Sequence, residues 1–132
     1  MLIDNHALDT QLVMSTLETV TPAPDFTVFH DSAQALTHLR AAPDALPDLV
    51  LMGLHLSPLT GLELLGEVKS DPNLRRLPVV ILSSSVMPED IQACYARYAT
   101  AYLVRPVSWE ELQRQMLSLW TFWTRWLRLP EA

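Results

Sequence analysis

Two short apolar runs constrain the fold of this chain more than any other feature of its sequence. Residues 49–54 form the first run, which Pro47 precedes, and residues 79–82 form the second, which Pro78 introduces. Runs of this length without polar alternation are typical of parallel strands that are buried on both faces of a sheet. Between the two runs, an amphipathic stretch after Gly61 predicts a helix. The pattern indicates a parallel sheet that is covered by helices.

The same alternation of strand and helix continues in both directions from these runs. The other predicted strands are 1–3, 26–29 and 101–104. Of the other predicted helices, the first carries Leu8, Leu12, Val13 and Leu17, and the second is capped by Asp31 or Ser32. Pro88 opens a further helix, and the last one, at about 108–127, begins with a capping box from Ser108 to Glu111. Five strands that alternate with five helices predict an α/β fold with a doubly wound, five-stranded parallel sheet. We expect residues 1–132 to form a single domain, because no linker or repeat interrupts the pattern.

The composition excludes several classes of protein. A formal net charge of -6 argues against non-specific binding to nucleic acid, which requires a basic surface. No apolar run is long enough to cross a membrane, and the first residues lack the pattern of a secretory signal. The single cysteine, Cys94, cannot form an intramolecular disulfide, and we expect it to be a buried, inert thiol. We therefore expect a cytoplasmic protein without nucleic-acid or membrane partners.

Four positions follow directly after predicted strands, at the edge of the sheet where chemistry is expected. In doubly wound sheets, ligands bind outside the carboxyl ends of the strands, near the point where the strand order reverses. That rule selects the pair Asp4-Asn5, then Gly53, Ser83 and Arg105. We expect these side chains to lie close together.

The segments around these positions resemble response-regulator receiver domains. The matching segments are 51–65 with Gly61-Leu62-Glu63-Leu64-Leu65, 78–85 ending in Ser83-Ser84-Ser85, and 101–107 with Ala101-Tyr102-Leu103-Val104-Arg105-Pro106-Val107. The spacing is similar too, since 30 residues separate Gly53 from Ser83 and 22 separate Ser83 from Arg105. The resemblance covers nearly the whole chain. It implies a flavodoxin-like (βα)5 fold and a role in two-component phosphorelay signalling.

The resemblance also implies a role for each residue of this cluster. The family holds Mg²⁺ with an acidic pair, an acceptor aspartate and a backbone carbonyl, while a hydroxyl and a lysine bind the phosphoryl oxygens. The matching positions are Asp4 and Asn5 for the acidic pair, Gly53 for the acceptor, His55 for the carbonyl, Ser83 for the switch hydroxyl, Arg105 for the lysine, Pro106 for the proline after a commonly cis bond, and Tyr102 for the aromatic switch.

Three of these positions, Asn5, Gly53 and Arg105, depart from the family pattern. Glycine offers no nucleophile, so an aspartyl phosphate cannot form at Gly53. One carboxylate in place of three would hold Mg²⁺ weakly, at Asp4 and the His55 carbonyl, so we expect no cofactor. As a hypothesis, Arg105 forms an internal ion pair with Asp4 across the vacated space. The expected function is that of an atypical, non-enzymatic receiver domain that acts through protein–protein contacts.

Two alternatives stay open at this point. The chain could remain an active phosphorelay receiver whose acceptor is displaced to Asp4, Ser83 or His55. It could also be a ligand-binding domain or a small enzyme that reuses the vacated site. A relay member predicts labelling by acetyl phosphate or a kinase. An enzyme predicts an acid or base with a perturbed pKa, for which Asp4 is the one candidate.

All four tryptophans lie in the last predicted helix. One face of this helix must cover the sheet, but its last two turns are apolar on more than one side, which favours an association surface. The candidate interface residues are Leu119, Trp120, Phe122, Trp123 and Trp126. The ending 122–130 resembles single-domain receivers found beside bacterial phytochrome kinases, which tend to pair through their last helix and strand. This part of the resemblance implies a homodimer, with a sensor histidine kinase as a further partner.

Two smaller features carry expectations about local structure. Only three residues precede Asp4, so either the first strand is short or the true start lies upstream. Tyr98 stands at a helix end where the family usually has glycine, and it would either strain the turn or shield the last strand. His6 and His55 are expected to be ordinary polar surface residues near the mouth of the site.

Overall fold

The computed structural model describes residues 1–20 and 23–127. In chain order the elements are β1 (Leu2–Ile3), α1 (Ala7–Glu18), β2 (Val28–Phe29), α2 (Ser32–Ala41), β3 (Val50–Met52), α3 (Gly61–Ser70), β4 (Val79–Ser83), α4 (Pro88–Ala96), β5 (Ala101–Val104), α5 (Trp109–Thr121) and a π-helix (Phe122–Trp126). The strands form one parallel sheet in the order β2-β1-β3-β4-β5. The predicted doubly wound, five-stranded α/β fold is confirmed.

The sheet separates two apolar clusters, because successive side chains of a strand point to opposite faces. Ile3, Met52 and Ile81 point into one cluster, whose other members come mainly from α2 and α3. The alternate residues point into the second cluster with α1 and α5, where Val80 and Met116 are buried. Burial on both faces explains why the central strands read as continuous apolar runs.

Several strands are shorter than the sequence predicted. Pairing in the run 49–54 is confined to β3, and pairing in 26–29 is confined to β2. The ladder hydrogen bonds continue slightly beyond these limits, since the Gly53 N–H donates to the Ile3 carbonyl at 3.1 Å. β1 contains only two residues, Leu2 and Ile3.

The helix starts follow the expected capping chemistry with one correction. Asp31 caps α2 by accepting from the Gln34 N–H at 2.8 Å. Ser108 caps α5 by accepting from the Glu111 N–H at 3.1 Å, but no return bond from the Glu111 side chain is found in the described structure. The predicted capping box is therefore only half formed, because the exposed Glu111 carboxylate remains in solvent. A complete capping box starts α3, between Thr60 and Glu63.

The last helix matches the predicted limits but changes its winding. It is α-helical to Thr121 and then widens to a π-helix, in which the Leu127 N–H donates to the Phe122 carbonyl at 2.9 Å. Of the ending 122–130 that resembles phytochrome-associated receivers, residues 128–130 lie outside the described part of the chain. None of the helices in the described part of the chain is long and apolar enough to cross a bilayer.

Two expectations from the sequence concern the backbone, one at Tyr98 and one at the bond before Pro106. Tyr98 adopts a left-handed conformation with φ of 66°, which explains why a glycine is suited to this turn, and its side chain is 76% exposed. The expected cis bond before Pro106 is wrong, since the cis bond among the described residues precedes Pro58. The trans form is the intrinsic preference of an X-Pro bond, and Arg105 extends the sheet ladder by donating its N–H to the Ser83 carbonyl at 2.7 Å.

Candidate functional site

The carboxyl ends of four parallel strands bring the predicted residues to one edge of the sheet. Asp4 follows β1, Gly53 follows β3, Ser83 ends β4 and Arg105 follows β5. These residues line a small cleft of about 40 Å³. Asn5, His6, Leu54, His55, Leu82 and Ser84 complete its lining. The sequence-derived site is therefore assembled in space.

The Arg105 guanidinium bridges two carboxylates. Its Nη2 lies 2.9 Å from Asp4 Oδ2, and its Nη1 lies 2.7 Å from Asp9 Oδ2. The side chains of Arg105 and Asp4 are only 17% and 9% exposed, so water screens this pair weakly. The hypothesis of an ion pair between Arg105 and Asp4 is confirmed. The planar fork of arginine permits both bonds at once, which a lysine ammonium would not reproduce in this geometry.

Asp9 is a site residue that the sequence reasoning missed. It lies in the first turn of α1, one of the positions where a carboxylate also interacts favourably with the helix dipole. The short spacing between Asp4 and Asp9 could have predicted this, because a helix that begins directly after β1 places its first turn over the carboxyl edge of the sheet. Asp9 is 30% exposed, which makes it the more hydrated of the two partners.

Both carboxylate oxygens and the backbone carbonyl of Asp4 accept hydrogen bonds. Its Oδ1 accepts from the His6 N–H at 3.1 Å, and its Oδ2 accepts from Arg105. Its backbone carbonyl lies 2.6 Å from His30 Nδ1, which must carry the proton to make this hydrogen bond. Asp4 is thus fixed as the anionic centre of the cleft, and it is 6% exposed overall.

Gly53 has no local structural reason to be glycine. Its φ is not in the left-handed region. A Cβ built on it would lie 3.8 Å from Asp4 Oδ1 and 3.9 Å from the Leu82 carbonyl oxygen, which are ordinary contact distances. Gly61 differs, because a Cβ there would overlap the Gly53 carbonyl and lie 2.8 Å from Leu54 Cα. The loop after β3 therefore needs glycine at 61 and leaves room for a side chain at 53.

The two predicted switch residues are joined through Ser85. Ser83 is buried, and its Oγ accepts from the Ser85 N–H at 3.1 Å. Tyr102 is half-buried, and its hydroxyl donates to the Ser85 carbonyl at 2.8 Å. The Ser85 hydroxyl in turn donates to Asp90 of α4 at 2.5 Å. One short segment after β4 thus connects the floor of the cleft with the aromatic side chain on β5.

The remaining predicted site residues lie around the cleft, and among them His6 contacts its charges through the backbone N–H that donates to Asp4. Asn5, His6 and His55 are exposed at its rim, and Pro106 is half-buried behind Arg105. Within residues 1–20 and 23–127, no group of three or more His, Cys, Asp or Glu side chains is arranged to hold a metal ion.

The five candidate interface residues fall on two sides of the last helix. Leu119 and Trp120 pack against the apolar cluster beneath the sheet, and Trp123 is half-buried. Phe122 and Trp126 point outward, with exposures of 53% and 73%. The sequence grouped all five because the hydrophobic stripe is wider than one face. The exposed apolar patch consists of Phe122, Trp126 and Leu117, the last of which is 38% exposed.

Comparison with known proteins decides the family. Residues 1–117 match the response regulator receiver domain. The chain belongs to that family. It is therefore a receiver domain of two-component signalling, and the resemblance inferred from the segments around Gly53, Ser83 and Arg105 is confirmed.

The receiver domain has similar relatives along nearly its full length. It is 29% identical to the response regulator Rcp1 of Synechocystis sp. over 136 residues, which span 100% of this chain and 92% of that protein. A crystal structure of the Mn²⁺-bound form of Rcp1 superposes with a TM-score of 0.91 at 28% identity, covering 98% of this chain and 96% of the other. The phosphorylated cyanobacterial phytochrome response regulator RcpA superposes with a TM-score of 0.92 at 30% identity, with the same coverage.

Proposed function

We propose that this receiver domain signals without an aspartyl phosphate at the end of β3, and that the Arg105 guanidinium replaces both the metal and the phosphate-binding cation of the site. The observation that carries the proposal is the double ion pair of Arg105 with Asp4 and Asp9. A fixed internal cation neutralises the acidic end of the sheet permanently, so this charge does not depend on a phosphoryl group.

The residues present do not fit Mg²⁺. This hard cation requires several oxygen ligands and retains water in the others. Asp4 is the one carboxylate of the expected acidic pair, and both of its oxygens already accept hydrogen bonds. A dication at this position would also lie beside the guanidinium of Arg105, which repels it. Only the Asn5 side chain and the His55 carbonyl would remain as neutral ligands.

The alternatives of a displaced acceptor or a reused ligand site receive no support from the geometry. Ser83 Oγ is buried and already accepts from the Ser85 N–H, and no base among the described residues is bonded to it that would activate it. Asp4 is held by Arg105, and His55 is exposed without a described partner in the cleft. The cleft of about 40 Å³ is far smaller than the roughly 300–1,000 Å³ of typical ligand pockets.

The proposed output is contact with other proteins, first with a second copy of the chain. The exposed patch of Phe122, Trp126 and Leu117 supports a homodimer, because aromatic residues that are exposed together on one helix are typical of interface cores. We further propose that a sensor histidine kinase is a docking partner, in line with the phytochrome response regulator that this chain resembles. No enzymatic role is assigned to the cleft.

Intact-mass spectrometry after incubation with acetyl phosphate and Mg²⁺ tests the proposal. We expect no phosphoryl adduct on the wild type. We also expect none on Gly53→Asp, because Asp4 remains paired with Arg105 and is not free to bind Mg²⁺. The triple variant Asn5→Asp, Gly53→Asp, Arg105→Lys restores the family pattern and should gain one adduct. The same background with Gly53→Asn is the matched control without a nucleophile. An adduct on the wild type would overturn the proposal, and its position would identify a displaced acceptor.

A further inference from the structure

A second and larger cleft opens at the opposite edge of the sheet from Asp4 and Gly53. Its volume is about 450 Å³, within the range of roughly 300–1,000 Å³ that is typical of small-molecule sites. It lies at the amino-terminal ends of β1, β2 and β3, where Met1, Thr27 and Leu49 contribute to its lining. None of its described lining residues also lines the cleft at the phosphoacceptor edge.

The inner wall of the cleft is apolar, and it includes three aromatic side chains. Its main side chains are Phe26, Val13, Leu17, Leu119, Trp120 and Trp123. Val13 and Leu17 are buried, which gives the cleft a closed floor, and the two tryptophans are half-buried along one side. The π-helix from Phe122 to Trp126 begins directly after α5 and contributes Trp123 and Thr124 to this wall. Local π-helical widening is rare and frequently marks functional sites.

The rim of the cleft is acidic. Asp25 and Asp48 both line it and both are exposed, and neither has a salt-bridge partner within the described residues. His38 is the one basic side chain among the described lining residues. The Met1 amino group donates to the Leu49 carbonyl at 2.9 Å. Burial lowers the pKa of this amino group, and the nearby Asp48 carboxylate opposes that shift. At the rim, two carboxylates outnumber this one amino group. The charge at the rim therefore favours a cation over an anion.

We propose that this cleft binds a small aromatic molecule that carries a protonated amine, an arylalkylamine. The ring would lie against Trp120 and Trp123, removing apolar surface from water, and the ammonium group would face Asp25 and Asp48. An aromatic carboxylate of the same size would meet two like charges and bind more weakly. The site is separate from the phosphoacceptor edge, so it does not depend on whether the domain is phosphorylated.

Isothermal titration calorimetry at low salt tests the proposal with tryptamine as the probe and indole-3-propionate as the matched anion. We expect saturable one-to-one binding of tryptamine and clearly weaker binding of indole-3-propionate. The double variant Asp25→Asn, Asp48→Asn should weaken tryptamine binding about fivefold, the effect expected for two solvent-exposed charge pairs. Asp44→Asn, which removes an exposed carboxylate outside the cleft, should leave binding unchanged.

A second variant locates the bound molecule. Thr27 is exposed at the rim, so Thr27→Trp should obstruct the cleft without disturbing the buried core, which circular dichroism checks. Loss of tryptamine binding in this folded variant supports the site. Absence of binding to the wild type, equal affinity for the two indoles, or undiminished binding to Thr27→Trp would each overturn the proposal.

Discussion

Arg105 Nη2 lies 2.9 Å from Asp4 Oδ2, although 101 positions separate the two residues in the chain. One residue follows β5 and the other follows β1, so the pair joins an edge strand to an inner strand of the sheet. Asp9 adds a third member from α1 at 2.7 Å. The charged cluster thus ties together three elements that meet at the phosphoacceptor edge. Its first consequence concerns stability.

Arg105→Ala should destabilise the domain by about 2–3 kcal/mol, because it leaves the buried Asp4 carboxylate without a counter-charge. Arg105→Lys should cost less, since an ammonium retains the charge but does not span both carboxylates. The measurement is urea unfolding followed by circular dichroism. Arg76→Ala, which removes an exposed arginine elsewhere, is the control and should change the free energy of unfolding by less than about 0.5 kcal/mol. A loss for Arg105→Ala no greater than this would show that the ion pair is dispensable.

The dependence of Tm on Mg²⁺ should differ between the wild type and a variant in which the family's site residues are restored. We expect the Tm of the wild type to be the same with millimolar Mg²⁺ or with EDTA, because Asp4 is engaged with Arg105. The triple variant Asn5→Asp, Gly53→Asp, Arg105→Lys should gain a Tm that rises with Mg²⁺ concentration, as expected for a ligand that binds only the folded state. Ca²⁺, which prefers longer bonds and more ligands, serves as the comparison ion. A Mg²⁺-dependent Tm in the wild type would contradict the proposed replacement of the metal by arginine.

The fold and the members of the site could be predicted because each depends on local patterns. Buried strands of a parallel sheet give continuous apolar runs, as in 79–82, and the strand ends locate Asp4, Gly53, Ser83 and Arg105 without knowledge of any distance. The ion pair of Arg105 with Asp4 followed from opposite charges at one edge of the sheet.

Other features depend on tertiary detail that the sequence pattern does not contain. Asp9 joins the site because the folded chain brings its carboxylate within 2.7 Å of Arg105 Nη1. The last helix has a buried and an exposed side because only part of its hydrophobic stripe packs against the core. Trp120 packs against the sheet while Trp126 is exposed, although both belong to the same hydrophobic stripe. The need for glycine at Gly61 arises from a contact with the Gly53 carbonyl that only the folded loop creates.

Two glycines of α3 should respond in opposite ways to alanine. Gly61→Ala should destabilise the domain by about 3 kcal/mol, because its Cβ would overlap the Gly53 carbonyl and force the loop after β3 to move. Gly66→Ala is the matched control within the same helix, where the new Cβ would lie 3.9 Å from the Arg97 side chain. It should stabilise the domain by about 0.5–1 kcal/mol through helix propensity. Chemical denaturation of both variants measures the difference, and equal effects would contradict the close approach at Gly61.

The exposed aromatic patch should determine self-association. If the proposed homodimer forms through it, Phe122→Ser combined with Trp126→Ser should weaken the dimer by at least about 2 kcal/mol, or roughly thirtyfold in Kd. Sedimentation equilibrium measures the change. Trp109→Ser is the control, since Trp109 is 54% exposed near the start of the same helix but outside the patch. A monomeric wild type, or a dimer unaffected by the double variant, would contradict this interface.

The thiol of Cys94 should make stability fall at alkaline pH. Burial raises the pKa of Cys94 above its ordinary value of 9.0, with a further contribution from the Asp90 carboxylate. Above pH 9.0 the unfolded chain releases this proton while the folded chain retains it, so the free energy of unfolding decreases as pH rises. Below pH 9.0 both states hold the proton and the contribution is constant. Cys94→Ala should remove this decrease in the free energy of unfolding with pH. The opposing contribution of Lys69 remains, because burial lowers the pKa of Lys69. Urea unfolding at a series of pH values measures both slopes, and parallel curves for the wild type and Cys94→Ala would show that the thiol titrates alike in the folded and unfolded chain.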